Sequence, residues 1–313
     1  MAIQQTLLRN MGGAGFLWYG QRGLIAGGEP ATGPAYSNVI QYITIASTGN
    51  ATDFGDQTEA RGQRGAGGSS GRGIFAGGCC GRSDRIDYVT VATTGNATDF
   101  GNMDNPIHMV AGAADVTRVF FCGGEVNESP GNTNQMQRVM PLSPGNSYDF
   151  GNLTQARRAL GAASNGTRGV WCAGAYPSSP NYSNIMDYFD FSSLTNATDF
   201  GDYVTGVYQI AGTGSTGRGL FAGGYSDPSG GSLDVIAYIT ISSTGNASDF
   251  GDMNEQRRGP GMSANETRAT ISGGYNGSTY ASIDYVTIAS TGNASDFGDL
   301  LGANKHLAGC SND

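Results

Sequence analysis

The decapeptide STGNATDFGD at residues 47–56 recurs in close variants, giving six copies along the chain. Aligned on its asparagine, the copies stand at Asn50, Asn96, Asn146, Asn196, Asn246 and Asn293. Each is followed by an Asp-Phe pair: Asp53-Phe54, Asp99-Phe100, Asp149-Phe150, Asp199-Phe200, Asp249-Phe250 and Asp296-Phe297. The spacings are 46, 50, 50, 50 and 47 residues. A period of this size marks a repeat architecture, in which each unit is a small element that must stack on its neighbours to bury its apolar faces.

A second landmark in each unit is an arginine, a short apolar run and two small residues: RGLIAGG (22–28), RGIFAGG (72–78), RVFFCGG (118–124), RGVWCAG (168–174), RGLFAGG (218–224) and RATISGG (268–274). From each landmark asparagine to the last glycine of the next run is always 28 residues. From that glycine to the position eight before the following asparagine (Tyr42, Tyr88, Arg138, Tyr188, Tyr238, Tyr285), the distance varies from 10 to 14. Length variation is thus confined to one loop per unit: 29–41, 79–87, 125–137, 175–187, 225–237 and 275–284.

Segments such as VIQYITIAS and RIDYVTVAT alternate β-branched and aromatic residues between Gly, Ser and Asn clusters, which predicts strands. Their apolar residues fall on both faces, as in a sheet packed between two others. Each unit holds four short strands: a before the arginine, b in the RGxFAGG run, c carrying the tyrosine, and d at DFG. The 52 glycines among 313 residues would suit a low-complexity polymer, but the fixed period argues for an ordered ring or solenoid.

The order of an apolar run ending in double glycine, then tyrosine, then an aromatic late in a roughly 50-residue unit resembles the kelch repeat. The resemblance covers residues 22–313, with Phe where kelch repeats usually carry Trp, and implies a β-propeller with one four-stranded blade per repeat. The wording TGNATDFGD also resembles repetitive proteins of tailed bacteriophages, marine ones in particular. Counting on from Asn293, the last unit lacks its own strand b; Arg22–Gly28 supplies it and HLAGCS (306–311) supplies strand a. The expected fold is therefore an all-β, six-bladed propeller over 22–313, closed by N- and C-terminal strands in one blade. Residues 1–21 form an extra arm bearing Phe16, Leu17, Trp18 and Tyr19, which either packs across the ring or anchors it to something else.

The chemistry suggested by DFG does not hold up. A kinase has one such motif and an HRD loop, whereas this chain has six copies and no HRD. The sialidase Asp box is a partial likeness, and it is a structural hairpin in its own family. Turn chemistry accounts for the decapeptide: Thr-Gly-Asn tolerates positive φ, the Asp bonds N–H groups of its own turn, and the Phe inserts between blades. Asp53 with Asp56, or Asp249 with Asp252, falls short of a calcium loop, so no metal or other cofactor is expected. The six aligned arginines (Arg22, Arg72, Arg118, Arg168, Arg218, Arg268) should partner a carboxylate or carbonyl, the repeated Asp among the candidates.

The five cysteines have neither disulfide nor zinc spacing, and the NxS/T triplets read as turn residues. With His108 and His306 the only histidines and no triad, no enzyme is expected; His108 should line the channel. An excess of 26 acidic over 17 basic residues excludes a basic nucleic-acid surface. MAIQQTLLRN lacks a signal-peptide pattern, and no apolar run reaches the ~18 residues of a membrane span.

What remains are the variable loops and their Tyr36, Tyr176, Tyr182, Tyr225, Tyr275 and Tyr280, rigid aromatics among amides and hydroxyls that suit carbohydrate or protein surfaces. The expected function is a non-enzymatic structural or adhesion propeller of a phage particle, in the capsid decoration, tail or fibre, exposed on the virion. Its partners would be other virion proteins or host-surface glycans, with homo-oligomerisation open; a soluble glycan-binding lectin is the alternative.

Overall fold

The computed structural model describes residues 20–79, 82–127, 131–177, 182–226 and 230–312, so the arm residues Phe16, Leu17, Trp18 and Tyr19 lie outside the described residues. Among the described residues all regular structure is strand. Six antiparallel meanders form the blades. Blade 1 takes strand a from Ala308–Ser311 and strands b, c and d from Arg22–Ala26, Val39–Thr44 and Thr52–Asp56. Blade 2 is Gly65–Ser69, Arg72–Ala76, Ser83–Thr90 and Thr98–His108, and blade 3 is Ala111–Ala114, Val119–Cys122, Gln135–Val139 and Tyr148–Asn152. Blade 4 is Gly161–Ser164, Arg168–Ala175, Tyr182–Asp190 and Thr198–Val207. Blade 5 is Ala211–Gly214, Arg218–Ala222, Val235–Thr240 and Ser248–Asp252, and blade 6 is Gly261–Ala264, Arg268–Ser272, Ser282–Thr287 and Ser295–Asp299. The ring closes as the repeat count requires, with Leu24 opposite Cys310 and Ile25 opposite Gly309 in blade 1.

The core lies between blades, because each sheet is apolar on both faces. Phe54 of blade 1 is buried with Ala66, Phe75, Val89 and Val91 of blade 2, and Phe297 of blade 6 with Ile25, Ile43 and Ile45 of blade 1. Within its own blade the Phe meets the strand-c tyrosine edge-on, as in Tyr42–Phe54 at 6.0 Å and Tyr188–Phe200 at 5.7 Å between centroids. Such edge-to-face pairs add about 0.5–1.5 kcal/mol beyond area burial.

The rest of the decapeptide is a clamp between blades. Each landmark asparagine accepts, through Oδ1, a bond from the backbone N–H two residues after the Phe of the preceding blade. The distances are 3.0 Å for Asp56 to Asn96 and Asp202 to Asn246, and again 3.0 Å for Asp299 to Asn50, which closes the ring. Backbone bonds run beside it: Gly95 N donates to Phe54 O at 2.7 Å and Gly245 N to Phe200 O at 2.8 Å. The Asp of DFG is exposed and turned away from its own turn, apart from a bond of Gly151 N to Asp149 Oδ1 at 3.2 Å, so the turn-capping role expected for it gives way to the asparagine clamp. The Gly of DFG is needed because the next blade's backbone lies against it. At Gly201 (φ +137°) a Cβ would stand 2.6 Å from the Gly245 backbone. At Gly151, where the facing residue is Thr195 rather than glycine, the nearest atom would be at 3.1 Å.

The arginines opening strand b also join blades, but not through the repeated Asp. Arg22 lies over the Tyr42 ring at 4.5 Å and donates to Val91 O of blade 2 at 2.7 Å. Arg218 lies over Tyr238 and reaches Ile288 O of blade 6 at 2.7 Å, and Arg268 lies over Tyr285 and reaches Ala46 O of blade 1 at 2.9 Å. Blade 3 departs from this because Arg138 replaces the tyrosine: Arg118 turns to Asp115, with Nη2 at 2.5 Å from Oδ2. A neighbouring carbonyl, one of the two partners expected, is thus the usual one, joined by the tyrosine face, and Arg168 keeps a carboxylate as well, Asp190 at 2.7 Å.

A further pattern alternates round the ring. Eleven residues after the landmark asparagines of blades 1, 3 and 5 stand Arg61, Arg157 and Arg257, all buried. They pair with Asp87, Asp187 and Asp284 on strand c of blades 2, 4 and 6, at 2.6 Å for Arg157–Asp187 and 2.8 Å for Arg257–Asp284. Burial holds the Asp187 and Asp284 carboxyls above their usual value, offset in part by the paired arginine. The junction of blades 2 and 3 carries a neutral version of the same columns, buried Ile107 and Gln137, with Gln137 Oε1 accepting from Asp104 N at 2.9 Å. Removing one member of a buried pair leaves an uncompensated charge, whereas replacing both is often neutral.

Two outcomes are expected in urea unfolding. Gly201→Ala should cost about 2–4 kcal/mol, and Gly151→Ala less, about 1–2 kcal/mol from the positive φ without the backbone clash. Asp187→Gln alone should cost about 3–5 kcal/mol, with most of it recovered in the Arg157→Ile, Asp187→Gln double variant.

Candidate binding face

The clamps lie on one face of the ring, with the c–d turns; the b–c loops and the d-to-a connections share the other. Each connection enters the channel mouth through one residue in the left-handed region: Gln63, Met109, Ala159, Gln209, Gly259 and His306, with φ between 54° and 62°. Their backbones form a closed circle. Met109 N donates to Gln63 O at 2.6 Å, Ala159 N to Met109 O at 2.8 Å, and so on to Gln63 N, which donates to His306 O at 3.1 Å. Five of the six residues are not glycine, and each pays roughly 1–2 kcal/mol for that backbone conformation, which the circle of bonds holds in place.

Below this circle the channel is too tight to take a ligand. The strand-a residues are Gly, Ala, Thr and Ser apart from Met262 and Cys310, and a Cβ at Gly112 or Gly214 would stand 2.3 Å from the neighbouring blade's carbonyl oxygen. The lumen holds cavities of about 30 and about 80 Å³ and the mouth one of about 70 Å³, room for waters. A larger ligand has to rest on the rim.

The rim is built from side-by-side pairs. The residue before each left-handed position forms a short antiparallel contact with the first residue of the next blade's b–c loop. These pairs are Gly62/Cys79, His108/Glu125, Arg158/Ala175, Tyr208/Tyr225, Arg258/Tyr275 and Lys305/Glu29. The repeated backbone therefore presents six different side-chain pairs at equivalent sites.

Across blades 2 to 4 the rim is an ion-paired cluster. Glu125 receives Arg82 at 2.5 Å, Arg158 at 2.6 Å and His108 Nε2 at 3.1 Å. Burial pushes the Glu125 carboxyl up, but the bonds from His108 and Arg82 and the charge of Arg158 outweigh it and leave it below its usual value. Burial holds His108 below its ordinary value against the pull of Glu125. His108 thus belongs to this cluster and does not line the channel as expected. Near blade 1, Glu29 takes His306 Nδ1 at 2.9 Å, Gln63 Nε2 at 3.0 Å and Lys305 Nζ at 3.4 Å.

Between these clusters the rim of blades 4 to 6 is aromatic. Tyr182 stacks on Tyr208 at 4.7 Å, and Tyr225 stands edge-on to both, at 6.1 and 5.8 Å. The Arg258 guanidinium bridges Tyr225 and Tyr275 at 4.9 and 5.3 Å, and Lys305 Nζ lies 4.6 Å from the Tyr275 ring. Of the six expected tyrosines, Tyr182, Tyr225 and Tyr275 come together here. Tyr280 lies beneath Arg257 at 5.3 Å, Tyr176 bonds Ser183 Oγ at 2.9 Å, and Tyr36 sits by Cys79. All six are half-buried, held by packing rather than freely exposed. Tyr208, Arg258 and Lys305 were missed because they lie in the segment of constant length. Their column, twelve residues after each asparagine, reads Gly62, His108, Arg158, Tyr208, Arg258 and Lys305, but the columns on either side vary as much, so the sequence carried no signal that singled it out.

The described cysteines Cys79, Cys122, Cys172 and Cys310 are buried, and burial raises all four thiols, Cys310 to about 12. Among the described residues, no three His, Cys, Asp or Glu side chains group into a set that could hold a metal ion. On the clamp face, blade 3 alone exposes Met140 (48%), Leu142 (69%) and Tyr148 (62%), where blade 1 has Thr44, Ala46 and Thr52. The chain matches no protein-family model and no curated protein.

The depressed values of Glu125 and His108 both give stability that is present at neutral pH and lost as pH falls, first below the ordinary histidine range near 6.5 and then through the lowered carboxylate value. Thermal melts from pH 7 to about 4 should show Tm falling, with a shallower acid limb in Glu125→Gln.

Proposed function

We propose that this chain is a non-enzymatic structural and adhesion propeller of a phage particle, carried on the virion surface, that binds through the rim of its loop face. The observation that carries the binding part is the column of six rim pairs: an otherwise repeating backbone holds Gly/Cys, His/Glu, Arg/Ala, Tyr/Tyr, Arg/Tyr and Lys/Glu at equivalent sites. Positions that vary on a rigid repeat are where recognition is built without disturbing the fold. A propeller fits a binding or structural role.

Support for a non-catalytic reading comes from the polar groups themselves. Both histidines are engaged with carboxylates, the four described thiols are buried and raised, and the channel has room for little more than water. Support for a place in a larger assembly comes from the apolar side chains that blade 3 exposes on the clamp face, and from the likeness of the TGNATDFGD wording to repetitive phage proteins.

The aromatic rim favours a second reading, a soluble glycan-binding lectin that acts apart from any particle. Immunogold labelling of intact particles from the native source separates the two. Label on the particle surface is expected; protein confined to the particle-free lysate would overturn the virion assignment in favour of the lectin.

A further inference from the structure

We propose that the rim of blades 4 to 6 binds an anionic carbohydrate, with Arg258 taking the acidic group and the Tyr208, Tyr225 and Tyr275 shelf taking the sugar. This rests on the loop face being the binding face, as argued above, and narrows its ligand.

The ring supplies its own comparison. Three cations occupy equivalent rim positions: Arg158, Arg258 and Lys305. Arg158 is paired with Glu125 at 2.6 Å and Lys305 with Glu29 at 3.4 Å. Arg258 has no carboxylate among the described residues, because its neighbour across the short antiparallel contact is Tyr275 where Lys305 faces Glu29. None of its side-chain nitrogens is among the buried atoms without a partner, so they face solvent. The two tyrosine rings flank the guanidinium at cation–π distance and take none of its hydrogen bonds, which leaves its N–H groups for a ligand. Held this way, the side chain loses little freedom on binding, and a planar fork of donors matches a carboxylate or sulfate in two parallel hydrogen bonds.

The shelf beside it suits a sugar. Tyr182 and Tyr208 stack and Tyr225 stands edge-on to both, so the three rings fix one another as a half-buried aromatic cluster of the kind that packs on the apolar face of a sugar. The net charge of -9 does not oppose this. The repeated DFG aspartates belong to the clamp face on the far side of the ring, and at physiological salt charges beyond about 8 Å are largely screened.

The test is affinity electrophoresis of the full chain in gels containing one of four polymers: polygalacturonate, the same polymer fully methyl-esterified, dextran sulfate, or dextran. Retardation by polygalacturonate is expected, with none by its ester or by dextran. Retardation by dextran sulfate as well would extend the specificity from carboxylates to sulfates. Arg258→Gln should weaken the retardation about tenfold or more at unchanged Tm, while Arg85→Gln, which removes the same charge from strand c of blade 2, should leave it unchanged.

Equal retardation by charged and neutral polymers, or loss with Arg85→Gln as great as with Arg258→Gln, would overturn the anionic assignment and leave the rim as a binding face. No retardation by any of the four would overturn the carbohydrate assignment. Particle labelling is independent of all these results, so failure here is distinguishable from failure of the virion reading.

Discussion

Everything in this ring depends on how one blade holds the next. The main bond is made by the asparagine of the repeated decapeptide, whose Oδ1 receives a backbone N–H from the preceding blade at all six junctions, including the junction that joins blade 6 to blade 1. A sheet buried on both faces has no stable form alone, so its stability is shared with its neighbours. The asparagine clamp sets the outer spacing, the strand-b arginine braces it through a tyrosine and a neighbouring carbonyl, and the circle of left-handed residues sets the inner spacing. Blade position is thus determined at three radii, mainly by backbone atoms.

That division explains where the chain can vary. Positions whose backbone is spoken for, such as Gly201 against Gly245, admit little change, while the side chain at a rim position is free because only its backbone is used. The rim can therefore carry glycine at 62 and arginine at 258 on the same scaffold. Fixed geometry and variable chemistry meet in one column, the arrangement a recognition surface needs.

The sequence made the architecture legible because a propeller is periodic. Blade number, strand order and the closing strand all follow from distances between landmarks. The interactions behind the period were less legible. The asparagine looked like turn chemistry because its partner lies 40 residues or more away, and Asp53 looked like the functional member of the motif although it faces solvent. The arginines suggested a carboxylate or a carbonyl, and the carbonyl is found, but the tyrosine faces that also hold them appear only once strands b and c are placed in register. The buried Arg157–Asp187 pair and its kin repeat every second blade, so a one-blade period hides them.

The tyrosines show the same limit from the other side. Loop length pointed to Tyr182, Tyr225 and Tyr275, and these do converge, but what assembles them lies in the constant segment: Tyr208 between the first two and Arg258 between the last two. The guanidinium could not have been picked out from the two arginines adjacent in sequence, since Arg257 is buried on Asp284 while Arg258 points across the rim. One residue of offset, set by the left-handed turn at Gly259, separates an arginine that holds a blade together from one that is available to a ligand.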